Sequence, residues 1–92
     1  MRFKLMRVCE SNALAAVPQQ STRYDLAKAS EALRSAGYRV DEQGVMLIAR
    51  KGRAEYTLYP NGRLLMQPAS DKEEAHRAAE ELYSAIDAAV ER

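Results

Sequence analysis

The chain has 92 residues, enough for one domain with a two-layer core and too few for a second domain or a deep cleft between lobes. Its 47% hydrophobic and 29% charged residues match an ordinary soluble globular protein, and no apolar run approaches the roughly 18 residues that cross a bilayer. The net charge of +1 hides an asymmetry: residues 1–68 carry 11 Lys/Arg against 6 Asp/Glu, whereas residues 69–92 carry 3 against 7. The basic part could meet an anionic partner such as nucleic acid, although a dedicated non-specific binder shows a larger basic excess.

The opening MRFKLMRVCESN alternates instead of forming the apolar core of a signal peptide, so a cytoplasmic location is expected. Cys9, the single cysteine, has no second cysteine for a disulfide or a shared metal, in keeping with a reducing compartment. Within this opening, RFKLMRV reads as a strand. The next segment, ESNALAAVPQQS, is compatible with a short helical turn or a continuation of that strand, and Pro18 ends either one. TRYDLAKASEALRSAG predicts a helix: Thr22 and Asp25 have capping-box spacing, Leu26, Ala29, Leu33 and Ala36 recur at helical spacing, and Gly37 stands where a C-terminal cap belongs. YRVDEQ, VMLIARK, AEYTLYP and RLLMQP follow as four short strands separated by QG, KGR and PNG, spacing that suits an antiparallel meander. SDKEEAHRAAEELYSAIDAAVER closes the chain as a second helix. Ser70 and Glu73 form its expected capping box, acids fill its first turn, and Ala75, Ala78, Ala79, Leu82, Ile86, Ala89 and Val90 form its apolar stripe. The expected architecture over residues 1–92 is a single α+β domain, strand, helix, four strands, helix, with an antiparallel sheet of about five strands and both helices on one face.

The hairpin YTLYPNGRLLMQ decides which sheet face is dry. A two-residue turn at Asn61 and Gly62 would set Tyr59 opposite Leu64 and Leu58 opposite Leu65, mixing both faces. A three-residue loop, Pro60, Asn61 and Gly62, with Gly62 left-handed in a bulge, instead groups Tyr56, Leu58, Leu64 and Met66 on one face. Glu55, Thr57, Tyr59, Arg63, Leu65 and Gln67 then occupy the other. The bulged register is expected because it supplies one dry face for the helices. The opposite face keeps Tyr59 and Leu65, and VMLIAR adds either Met46 and Ile48 or Val45 and Leu47, so a contact surface is expected there.

The element order and the run LYPNGRLLMQPASDKEEA together resemble one repeat of the TATA-box-binding protein family, whose repeat is strand, helix, four-stranded meander and long helix. Leu58, Gly62, Arg63, Ala69, Ser70 and the acids after it match that family's last hairpin in kind, DLAKASEALRSAGY is similar to its first helix, and the resemblance covers most of residues 22–90. It implies a sheet face that contacts nucleic acid, with aromatic wedges at the groove floor. The second wedge position falls on Tyr59 and the first at about Glu42. Gln67 stands for a base-contacting Thr, Leu65 for an aliphatic contact and Arg63 for the hairpin Lys. The family's saddle uses two repeats, which here implies a homodimer. The N-terminal substrate-binding domain of type-three bacterial ribonuclease H is a similar single-copy domain.

Catalytic chemistry has little to stand on. His76 lies on an acidic helix and reads as a solvated surface residue; Glu73, Glu74, Glu80 and Glu81 spread around that helix and pair with Arg77 instead of gathering around a metal. Cys9 has no neighbouring base to activate it, and the glycines at 37, 44, 52 and 62 are spaced as turns, not as a phosphate cradle. The expectation is a non-enzymatic binding module without cofactor, metal or small-molecule substrate. Its open face would contact nucleic acid through Tyr59, Leu65 and Gln67, with Arg50, Lys51, Arg53 and Arg63 around them. The alternative is a protein-interaction or homodimerisation module with that face buried against another chain, favoured by Glu42, Glu55 and the low net charge.

Overall fold

Alternation along the strands and helical spacing along the two helices produce two layers. The structure, a computed structural model, describes residues 3–7, 13–20, 22–67 and 71–89. Its elements are β1 (Phe3–Arg7), β2 (Leu14–Pro18), α1 (Leu26–Ser35), β3 (Arg39–Glu42), β4 (Leu47–Lys51), β5 (Ala54–Leu58), β6 (Leu64–Gln67) and α2 (Lys72–Ala85), with a 3₁₀ turn at Asp87–Ala89. The strands form one antiparallel sheet in the order β1-β2-β6-β5-β4-β3.

Among the described residues six strands replace the expected five, because the ambiguous ALAAV is a strand, β2. Ala13, Leu14, Ala15 and Ala16 are all buried, so the segment shows neither alternation nor a helical period. Its partner β6 lies some fifty residues away in sequence, with Leu14 opposite Met66 and Ala16 opposite Leu64.

Both helices begin later than their capping boxes predict. Asp25 caps α1, its carboxylate accepting from the amides of Ala27 and Lys28 at 3.0 and 3.3 Å. Thr22 instead donates its hydroxyl to the Gln20 carbonyl, and the Tyr24 amide donates to the Pro60 carbonyl at 2.8 Å. That bond ties residues 22–25 to the last hairpin, outside the helix. Asp71 caps α2 by accepting from the Glu73 amide at 2.9 Å; Ser70 lies outside the described residues. At the end of α1 the Tyr38 amide donates to Leu33 and the Gly37 amide to Arg34, the two bonds of a Schellman cap. Ala36 is exposed there, so the apolar stripe of α1 ends at Leu33.

The core lies between the helices and one sheet face. Tyr56, Leu58, Leu64 and Met66 face Leu33, Ala79, Leu82 and Ile86 in one cluster. The register is the bulged one: Tyr56 lies opposite Met66 and Leu58 opposite Leu64. The Tyr59 amide donates to the Arg63 carbonyl and the Gly62 amide to the Tyr59 carbonyl, both at 2.9 Å, closing a three-residue loop with Gly62 at φ +88°. On β4, Leu47 and Ala49 enter the core, leaving Ile48 on the open face with Met46 half-buried beside it.

Candidate functional site

Because side chains alternate along each strand, the register sorts the open face into rows. The central row runs from one edge to the other through Asp41, Ile48, Thr57, Leu65, Ala15 and Met6. Met6 is 49% exposed at the β1 edge, whereas Ile48, Thr57 and Leu65 are half-buried by their neighbours. Toward the β4–β5 turn lie Arg39, Arg50, Glu55 and Gln67, and toward the β5–β6 turn lie Tyr59 and Arg63 with Val17 and Lys4 beside them.

At the β5–β6 end the face is concave. A hollow of about 610 Å³ is lined by Ala15, Tyr59, Pro60, Asn61, Arg63 and Leu65. A second, of about 370 Å³, is lined by Val17, Pro18, Gln19, Gln20, Thr22 and the same Asn61 and Arg63. Among the described residues neither hollow has a carboxylate in its lining, and the Arg63 side chain has no ion-pair partner. On the helical side, by contrast, a hollow of about 410 Å³ is bordered by Glu80 and Asp87, where an anion would be repelled.

The hairpin that forms the concave end is held from below. Pro60 accepts from the Tyr24 amide, and Gly62 accepts from the buried Tyr83 hydroxyl at 2.5 Å. Asn61 turns its side-chain oxygen onto the Arg63 amide at 3.0 Å, which fixes the backbone from which the guanidinium projects. Tyr24 and Tyr83 stack beneath the turn with ring centroids 6.5 Å apart. Burial, with the Asp87 charge adding to it, pushes the Tyr24 phenol up to about 12; burial, reinforced by Tyr24, raises Tyr83 further still. A second pair, Tyr38 and Tyr56, meets edge to face at 5.9 Å behind the β4–β5 turn. Burial foremost, then Glu81 and Tyr56, pushes Tyr38 up to about 12, and burial followed by Glu81 raises Tyr56.

Of the seven residues singled out from the sequence, Tyr59, Arg63 and Leu65 come together in the larger hollow. Gln67 is on the same face opposite Glu55, beyond the hollow. Arg50 shares the face too, but its guanidinium is 3.0 Å from Glu55. Lys51 is on the opposite face, since it shares strand parity with buried Leu47 and Ala49. Its Nζ lies 3.2 Å from Glu81 of α2 and 4.9 Å from the Tyr38 ring centroid. Arg53 is in the β4–β5 turn, six residues from Tyr59 along an extended strand, about 20 Å away. Glu42, the expected first wedge position, pairs with Leu47 and so belongs to the helical side of β3, not to the open face.

Ala15, Val17, Pro60 and Asn61 join the site without having been singled out. PNG signalled the turn, but only the pairing of β2 with β6 shows what lies beside it. His76 is exposed as expected, with partners the sequence did not indicate: Glu80 at 3.3 Å and the Phe3 ring at 4.8 Å. Two of the acids expected on Arg77 go elsewhere, Glu80 to His76 and Glu81 to Lys51. Cys9 lies outside the described residues. Among the described residues no three His, Cys, Asp or Glu side chains could hold a metal ion, and no helix is long and apolar enough to cross a membrane.

In comparisons with known proteins, the chain matches no protein-family model, no curated protein and no solved structure.

Proposed function

We propose that the protein is a small non-enzymatic binding module that holds nucleic acid against the open face of its sheet. The observation that carries this reading is the concave β5–β6 end, where Tyr59, Leu65 and Arg63 converge with no carboxylate in the lining among the described residues. An aromatic platform beside an uncompensated guanidinium offers a base something to stack on and a phosphate something to pair with. The finer fold reading, a TATA-box-binding-protein-like repeat, rests on the order β2, α1, β3 to β6, α2, with β1 as an added edge strand.

Fluorescence anisotropy with labelled oligonucleotides tests the proposal. Binding should weaken as salt rises, and Arg63→Ala should flatten that dependence by a log–log slope of about 1. Absence of binding at low salt to any oligonucleotide, single- or double-stranded, would remove the proposal.

A second reading is favoured by the apolar central row: Ile48, Leu65 and half-exposed Met6 lead to the β1 edge, so a second copy could cover the face. Light scattering across a concentration series separates the two. A dimer weakened by Met6→Lys, with no oligonucleotide bound, assigns the face to self-association.

A further inference from the structure

Resting on the nucleic-acid reading, we infer that the concave end is built for a single strand, with one unstacked base in the larger hollow and the adjoining phosphate on Arg63. The larger hollow falls in the size range of small-ligand sites, roughly 300–1,000 Å³. Its lining suits a flat, partly apolar ring: Leu65 and Ala15 from the sheet, Tyr59 and Pro60 from the turn, and Asn61 with an amide nitrogen left to donate. The second hollow lies alongside and shares Asn61 and Arg63 with the first. Arg63 therefore stands between two concavities, as a phosphate stands between two nucleosides along a strand.

Charge decides against a duplex. Gripping a duplex electrostatically takes several cations on phosphates, roughly 6–10 in a strongly salt-dependent binder. Here Arg50 is already paired with Glu55, Lys51 faces α2, and Arg53 is about 20 Å along the strand from Tyr59. Arg39 lies toward the β4–β5 turn, and at the concave end of the described face only Lys4 and Arg63 remain as cations. Stacking must then supply much of the affinity, and stacking on a protein ring requires a base free of its neighbours. A duplex could fill the hollow only by extruding a base, at a cost a single strand does not bear. The turn is tied down by Tyr24 and Tyr83, so the hollow is shaped before the strand arrives.

The test uses the full chain and fluorescence anisotropy with labelled oligo(dT), oligo(U) and a blunt duplex of equal length. Both single strands should bind at least about tenfold more tightly than the duplex, and Tyr59→Ala should weaken single-strand binding by about tenfold or more. Lys51→Gln, whose side chain faces α2, should bind like the unaltered protein. On the unaltered protein, amide shifts at Ala15, Asn61 and Leu65 should move with added oligo(dT), a readout that holds even if Tyr59→Ala fails to fold. A duplex bound as tightly as the single strands would overturn the inference while leaving the nucleic-acid reading intact. So would amide shifts confined to the β4–β5 turn, or a Tyr59→Ala protein that folds and binds undiminished. No binding of any of the three probes would overturn both.

Discussion

The two turns at opposite ends of β5 both carry a glycine at positive φ and both have arginine beside it, yet they are built for different ends. The β4–β5 turn is the more basic, and its run Arg50, Lys51, Gly52, Arg53 looks the more suggestive of phosphate contact. In the structure its charges are largely spoken for by Glu55 and Glu81, and a Cβ on Gly52 would meet nothing within 4 Å. The β5–β6 turn has one arginine but is packed: a Cβ on Gly62 would approach Pro18 Cγ at 2.9 Å and Tyr24 Cε2 at 3.0 Å. Two hydrogen bonds from Tyr24 and Tyr83 hold its carbonyls. A concentration of charge marks solvent here, whereas anchoring marks the place where a few side chains keep a fixed relation to one another.

Raising the pH should have the largest effect, because a tyrosine pair lies behind each turn. These phenols have raised pKa values in the fold, so the stability they confer is full below the unfolded value of about 10. It is lost as pH climbs toward about 12, where Tyr24 and Tyr38 ionise. Urea midpoints measured against pH should be level through neutral pH and fall between about 10 and 12; a level curve to 12 would mean the phenols are not buried as described.

The contrast between the turns is sharpest in the two glycines. Gly62→Ala combines a left-handed backbone, about 1–2 kcal/mol, with overpacking of about 1–3 kcal/mol, so a loss of about 2–5 kcal/mol is expected. Gly52→Ala meets only the backbone penalty and should cost about 1–2 kcal/mol. Equal losses on chemical denaturation would break the comparison. Tyr83→Phe removes the proton donated to Gly62 while keeping the ring, and should cost about 1–3 kcal/mol by leaving a buried carbonyl unpaired. It should also loosen the turn, visible as faster amide exchange at Gly62. Smallest of all, Lys51→Ala breaks an exposed pair with Glu81 and should change stability by about 1 kcal/mol or less, shrinking further in salt.

Elements with a strong local period were readable from their residues: both helices, the four-strand meander, and the bulged register that sends Tyr56, Leu58, Leu64 and Met66 inward. So was the grouping of Tyr59, Leu65 and Arg63 on one face, because alternation and a three-residue loop leave no other parity. The capping positions were missed by one to three residues, since Thr22 and Ser70 fit the local pattern but the carboxylates of Asp25 and Asp71 make the bonds. Tertiary structure alone settled the rest. Pairing of β2 with β6 joins residues some fifty positions apart, and no local signal encodes that partnership; it makes ALAAV a strand and places Ala15 and Val17 beside the turn. Likewise, whether a surface cation is free depends on which acid the fold brings within reach: Glu81 engages Lys51 from another element, Glu55 engages Arg50 across the hairpin, and neither approaches Arg63.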